Sequence, residues 1–113
     1  MKATIYHNPR CSTSRNALQM MREAGVEPQV VEYLKDPPTK AKLKKLLKDA
    51  GVSVREAVRD KESAYAELGL EDASDDALLE AMVANPVLMQ RPIAVTEKGV
   101  RVCRPVERVR EIL

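Results

Sequence analysis

From Thr39 to Asn85 the chain carries helical periodicity and no strand signal, whereas β-rich runs lie on both sides of that stretch. Any sheet must therefore be assembled from segments far apart in sequence, with helices inserted between its halves. On the N-terminal side, Ala3 to His7 alternates small or apolar residues with polar ones and reads as a short strand, stopped by Asn8-Pro9. From Ser12 to Ala24, the residues Ala17, Leu18, Met21 and Ala24 recur at helical spacing, and Gly25 supplies a stop. Pro28 to Leu34, with Val30, Val31 and Tyr33, predicts a second strand that ends at Asp36-Pro37-Pro38. This succession predicts a β-α-β unit with a right-handed crossover.

Within the strand-free stretch, Thr39 can cap a helix whose Leu43, Leu46, Leu47 and Ala50 share one face, closed by Gly51. Ser53 to Arg59 predicts another short helix. Ser74, with Asp75 and Asp76, offers an oxygen cap and first-turn negative charge to a helix burying Leu78, Leu79, Met82 and Val83, which Asn85-Pro86 ends. Ile93 to Thr96 and Val100 to Cys103 are then two β-rich runs around Glu97-Lys98-Gly99, a hairpin whose glycine can take positive φ. Pro105 suits the first turn of a last helix with Val106, Val109, Ile112 and Leu113 on one side. The expected order is β-α-β, a helical insertion over about residues 39–85, then β-β-α. At 113 residues and 44% hydrophobic content, with no linker or repeat, residues 1–113 are expected to form a single domain around one core.

Composition narrows the function. Nineteen Lys and Arg against 17 Asp and Glu, interspersed to a net charge of +2, offer no broad field for a polyanion, so nucleic acid is not an expected partner. Three Tyr and no Phe or Trp leave no stacking platform and require an aliphatic core. No apolar run approaches the roughly 20 residues that span a bilayer, so no membrane association is expected and the protein is expected in the cytoplasm. Cys11 and Cys103 lie far apart, in neither a Cys-x-x-Cys pair nor a zinc-like cluster, and no metal site is expected. In a reducing compartment each is either buried filler or a reactive nucleophile.

Cys11 falls where a strand's turn meets the start of a helix, where unpaired backbone N–H groups and the helix dipole favour negative charge and lower a thiol pKa. Arg10 and Arg15 flank it and His7 lies just upstream, which predicts a positive local field. Ser12, Thr13 and Ser14 add hydroxyl donors, and converging N–H groups beside a nucleophile could seat a tetrahedral oxyanion. Cys11-Ser12-Thr13-Ser14 is Cys-x-x-Ser, with no second sulfur in the turn. Resolution of any adduct on Cys11 is then expected from another molecule, for which glutathione is the usual cytosolic candidate. The blander reading, Cys11 as apolar filler at a helix start, fits poorly with its Arg, His and hydroxyl neighbours. His7 stays open between two roles, a structural histidine or a tuner of the thiol.

The run His7-Asn8-Pro9-Arg10-Cys11-Ser12-Thr13-Ser14-Arg15 resembles the ArsC family of glutaredoxin-coupled arsenate reductases. The likeness continues in order through Tyr33-Leu34 before Pro37-Pro38, Gly51-Val52-Ser53-Val54-Arg55, Tyr65 with Leu68-Gly69-Leu70, Asn85-Pro86, Arg91-Pro92-Ile93 and Arg104-Pro105. It implies a thioredoxin-like (glutaredoxin-like) α/β fold with a mixed sheet and a helical insertion. It also implies that Arg59, Arg91 before a proline that is typically cis, and Arg104 surround the nucleophile and hold the oxyanion or intermediate. Each alone would read as a solvated charge. The implied chemistry is attack of the Cys11 thiolate on arsenic, then reduction to arsenite by glutathione and glutaredoxin, with glutathione as co-substrate and no tightly bound cofactor.

The chain has Arg10-Cys11-Ser12 where the best-known members have Ala-Cys-Gly, and so resembles a less characterised branch. It stops at Leu113, where those members continue with a tail, so tail-dependent contacts are expected to be absent. Cys103 reads as structural. Two other functions share the scaffold: a glutathione-dependent thiol reductase using Cys11 alone, and a non-enzymatic Spx-like redox-sensitive interaction protein. Spx proteins typically carry Cys-x-x-Cys at this turn, where this chain has Ser14.

Overall fold

The computed structural model describes residues 2–113 and divides the chain into two compact units. One runs up to Asp36 and resumes over Arg91–Leu113; the other is Pro37–Gln90. The first unit, here the sheet unit, contains β1 (Ala3–Tyr6), α1 (Ser12–Glu23), β2 (Gln29–Val31), β3 (Ile93–Thr96), β4 (Gly99–Val102) and a 3₁₀-helix over Val106–Ile112. Its strand order is β2-β1-β3-β4. β1 is parallel to β2, with Ile5 opposite Val30, and antiparallel to β3, with Ile5 opposite Ala94. β3 and β4 form the hairpin, Ile93 facing Val102 and Thr96 facing Gly99 at φ +148. A parallel β-α-β half joined to an antiparallel hairpin, in this order, is the mixed sheet of a thioredoxin-like fold.

The core of this unit is aliphatic, as a chain without Phe or Trp requires. Ile5, Ala17, Met21, Val26, Ala94, Cys103, Val109 and Ile112 are all buried together. Only Ala17 and Met21 of the expected α1 stripe are fully inside. Leu18 is half-buried, and Ala24 is exposed because the helix has already ended there. Gly25 at φ +81 lets Val26 N–H reach the Met21 carbonyl (2.9 Å) while its own N–H bonds the Arg22 carbonyl (3.0 Å). That closure returns Val26 to the core beside Met21.

β2 and the last helix depart from the expectation. β2 stops at Val31 instead of continuing to Leu34, because the Glu32 carbonyl accepts both Lys35 N–H (3.0 Å) and Asp36 N–H (2.9 Å) and turns the chain. The last helix is 3₁₀ and not α. Its apolar residues Val106, Val109 and Ile112 recur every third position, which lines up on one side only at three residues per turn.

The second, helical unit contains α2 (Lys40–Ala50), α3 (Val54–Ala57), α4 (Ser63–Glu67), a 3₁₀ turn at Leu70–Asp72, α5 (Asp75–Ala84) and another at Pro86–Leu88. Helices α2, α3 and α5 begin on local oxygen caps, each worth about 1 kcal/mol. Thr39 accepts Lys42 N–H (3.2 Å), Ser74 accepts Ala77 N–H (3.2 Å), and Ser53 and Glu56 form a reciprocal capping box. Leu43, Leu46, Leu47, Ala50, Leu78, Leu79 and Met82 are buried, with Val83 half-buried. Val58, inside the stretch expected to lack β pairing, forms an isolated antiparallel bridge with Met89 beyond its end. Val58 is extended, so α3 ends at Ala57, and Arg59 N–H to the Leu88 carbonyl (2.7 Å) with Gln90 N–H to the Ala57 carbonyl (2.8 Å) completes the pairing. The 3₁₀ turn opened by Pro86 brings residues 88–90 back alongside. No helix among the described residues is long and apolar enough to cross a membrane.

Candidate functional site

The loop from β1 to α1 is a hydrogen-bonded turn. Cys11 N–H donates to the Asn8 carbonyl at 3.0 Å, with Pro9 and Arg10 between them, and Pro9 supplies the φ that the second turn position needs. Cys11 caps α1 with extended backbone (φ −93, ψ 123), and its carbonyl accepts the first helical bond, from Arg15 N–H at 3.0 Å. The N–H groups of Ser12, Thr13 and Ser14 are the donors that a helix start leaves without an intrahelical acceptor.

The Cys11 thiol is free and half-buried. Burial works against its ionisation. Against burial act the Ser14 N–H, the Arg91 charge, the Thr13 N–H and hydrogen bonding from the Arg91 side chain, and together they hold the pKa below the ordinary thiol value. Cys103 is the opposite case: fully buried in the core, with its thiol pushed up to about 12 chiefly by burial.

His7 and Ser14 form a buried pair behind this turn. Ser14 is fully enclosed, and its Oγ accepts Asn8 N–H at 3.0 Å and lies 2.6 Å from His7 Nδ1. His7 N–H is itself bonded to the Val31 carbonyl (2.8 Å). Burial lowers the His7 pKa; Glu32 raises it, and Arg22 and Arg15 lower it further. A neutral imidazole assigns the Ser14 hydroxyl as donor to Nδ1, which leaves the ring proton on Nε2.

The positive field expected from His7, Arg10 and Arg15 is therefore built differently. His7 is neutral, Arg10 is exposed, and the exposed Arg15 guanidinium donates to the Pro9 carbonyl at 2.9 Å. The cation acting on the sulfur is Arg91, which stands just before β3 and is joined to Pro92 by a cis peptide. Arg91 Nε is buried and has no hydrogen-bond partner among the described residues. Arg104 follows β4 at a second cis peptide, Arg104–Pro105, and is exposed. Arg59 belongs to the helical unit, where its guanidinium pairs with Glu62 at 2.8 Å and donates to the Val87 carbonyl at 3.3 Å.

Two depressions flank the Asn8-Pro9 segment and share His7 and Pro9 in their walls. One of about 190 Å³ runs past Arg10, Glu32, Leu34 and Lys35; the other, about 400 Å³, past Arg15, Leu18, Gln19 and Arg22. Among the described residues no group of three or more His, Cys, Asp or Glu could hold a metal ion. The residue to which sequence reasoning gave no role at the site is Asn8, read as a strand stop and as one member of the family-like run. An Asn preceding Pro is also a signature for a side chain that bonds the backbone two residues on, and Arg10 N–H does donate to Asn8 Oδ1 at 3.0 Å.

Comparison with known proteins matches residues 6–112 to the ArsC family. The chain is 54% identical to an arsenate reductase of Rhizobium meliloti, over 100% of this chain and 82% of that protein. It is 53% identical to the arsenate reductase of Escherichia coli K12, over 97% of this chain and 79% of that one. Among solved structures, an arsenate reductase from Vibrio cholerae superposes with a TM-score of 0.95 at 46% identity, covering 100% of this chain and 98% of its own.

Proposed function

The chain belongs to the ArsC family, and from that premise we propose that it is an arsenate reductase acting through Cys11, with glutathione and glutaredoxin as reductants. One observation carries the reading: the only half-buried thiol among the described residues sits at a helix start, with two amides and the Arg91 guanidinium favouring its ionised form. The Cys11 thiolate attacks arsenic(V), one arsenate oxygen leaves as water, and a sulfur–arsenic bond forms. A glutathione thiol replaces a second oxygen, again releasing water. A glutaredoxin thiolate then takes the glutathionyl sulfur as a mixed disulfide, and the two electrons of the broken sulfur–arsenic bond stay on arsenic. Hydrolysis frees arsenite and regenerates Cys11.

In this reading Arg91 and the amides of Ser12, Thr13 and Ser14 receive the oxyanion and stabilise the charge that crowds the adduct. A guanidinium matches arsenate better than an ammonium because its fork donates two parallel bonds. Arg59 and Arg104 are assigned to the oxyanion on the family resemblance alone. His7 and Ser14 hold the loop from behind, and Arg15 fixes the Pro9 carbonyl. Residues 1–113 are read as a single domain with the helical unit inserted between β2 and β3. A glutathione-dependent cycle places the protein in the cytoplasm.

The test is a coupled assay with arsenate, glutathione, glutaredoxin and NADPH-driven glutathione reductase. The expected result is arsenate-dependent NADPH consumption that Cys11→Ser abolishes. The arginine assignments predict that Ala at position 91, 59 or 104 raises the KM for arsenate while Arg110→Ala, at an exposed position, leaves it unchanged. Turnover of glutathionylated thiols without any on arsenate would replace this reading with the thiol-reductase one.

A further inference from the structure

We propose that Asn8 is a positioning residue for Cys11, closing the loop between β1 and α1 through three hydrogen bonds so that the sulfur stands at the open amides of the first helical turn. The inference deepens the proposed function and rests on Cys11 being its nucleophile.

Each polar group of Asn8 that can lock the loop is used in it. Its Oδ1 accepts Arg10 N–H at 3.0 Å, its carbonyl accepts Cys11 N–H at 3.0 Å, and its N–H donates to Ser14 Oγ at 3.0 Å. The last bond ties the loop to Ser14 Oγ, the partner of His7 Nδ1, and the first two span the turn. Pro9 fixes its own φ and confines Asn8 to extended backbone, but it leaves Arg10 free. The torsions of Arg10 are held by the bonds to the Asn8 oxygen and carbonyl on either side of it. Removing that oxygen frees an N–H on an exposed residue, which water can satisfy, so the expected cost in stability is small. The expected cost in chemistry is not, because hydrogen bonds to a thiolate weaken steeply with misalignment, and all the amides that favour the charge lie in one helical turn beyond this hinge. The same turn also commits the Cys11 N–H to Asn8, so an incoming oxyanion is left with the amides of Ser12, Thr13 and Ser14.

Asn8→Ala and Asn8→Leu both remove the acceptor, the second with nearly the same shape, and Asn8→Ser restores a shorter one. For each, the rate of Cys11 alkylation by iodoacetamide would be followed across pH by mass spectrometry, beside the thermal midpoint and arsenate kinetics. Expected is a native profile below that of free cysteine, moved up toward it in the Ala and Leu variants and partly recovered in Ser. Loss of kcat/KM for arsenate by at least about tenfold should accompany the move, since small misplacements of a nucleophile carry that scale of cost. Profiles that coincide with the native one, whatever happens to thermal stability, overturn the proposal and leave Asn8 a structural residue. A native profile already matching free cysteine would instead defeat the reading of Cys11 itself.

Discussion

Thr96→Val tests how the end of the chain is anchored to the sheet on which α1 rests. Thr96 closes β3, is 7% exposed, and its Oγ1 donates to the Ile112 carbonyl at 2.5 Å while accepting Lys98 N–H at 3.1 Å. Ile112 is fully buried in the cluster that also holds Ala17 and Met21 of α1. Valine keeps the size and branching and removes both bonds. The Lys98 N–H belongs to an exposed residue and can turn to water, so its loss should cost little. The Ile112 carbonyl loses a buried donor, which costs about 1–3 kcal/mol. The added methyl returns about 0.8 kcal/mol of burial. The net destabilisation is about 0.2–2.2 kcal/mol, a fall in melting temperature of about 1–9 °C for a domain of this length. Urea unfolding at neutral pH measures the free energy, and an unchanged slope keeps the comparison two-state. The Cys11 alkylation rate should stay at its native value, because no group touching the sulfur has changed. A variant as stable as the native chain would refute the reasoning that this hydroxyl anchors the terminal segment.

The two thiols should separate by reagent. With Cys103 near 12 and Cys11 below 9.0, the ionised fraction of Cys103 is at least about a thousandfold lower at neutral pH, so native labelling should modify Cys11 alone and both only after unfolding; equal native labelling would contradict the buried assignment. His7 predicts a pH effect with a definite sign. Its folded pKa is depressed below 6.5, so its contribution to stability is complete above that value and is lost as acidification protonates the unfolded chain first. The stability lost between pH of about 7.5 and 5.5 should therefore be smaller in His7→Asn, and equal losses in both proteins would refute this.

What the sequence revealed and what it withheld divide by the range of the interactions involved. Thr39, Gly51, Ser53 and Ser74 delimit helices through bonds within a few residues, and all four were readable. Cys11 was readable for the same reason, since a strand, a turn and a helix start are local patterns. The end of β2 was not, because Tyr33 continues an apolar alternation while the Glu32 carbonyl has already turned the chain. The last helix had its type written in the three-residue spacing of Val106, Val109 and Ile112, which a reading by helical face alone passes over. The charge at the sulfur was the harder case. Chain neighbours Arg10 and Arg15 looked like its source, yet one is exposed and the other holds Pro9, and the acting guanidinium arrives from residue 91 by way of the sheet. Only the family resemblance pointed to Arg91 beforehand.

Ultraviolet titration of thiolate absorbance, with Cys11→Ser as the baseline, measures how far the first turn and Arg91 together ionise Cys11. The native protein should titrate below the ordinary thiol value, Arg91→Ala should move the midpoint upward, and Arg91→Lys should recover only part of the difference. A midpoint that is the same in the native protein and in Arg91→Ala would contradict the account.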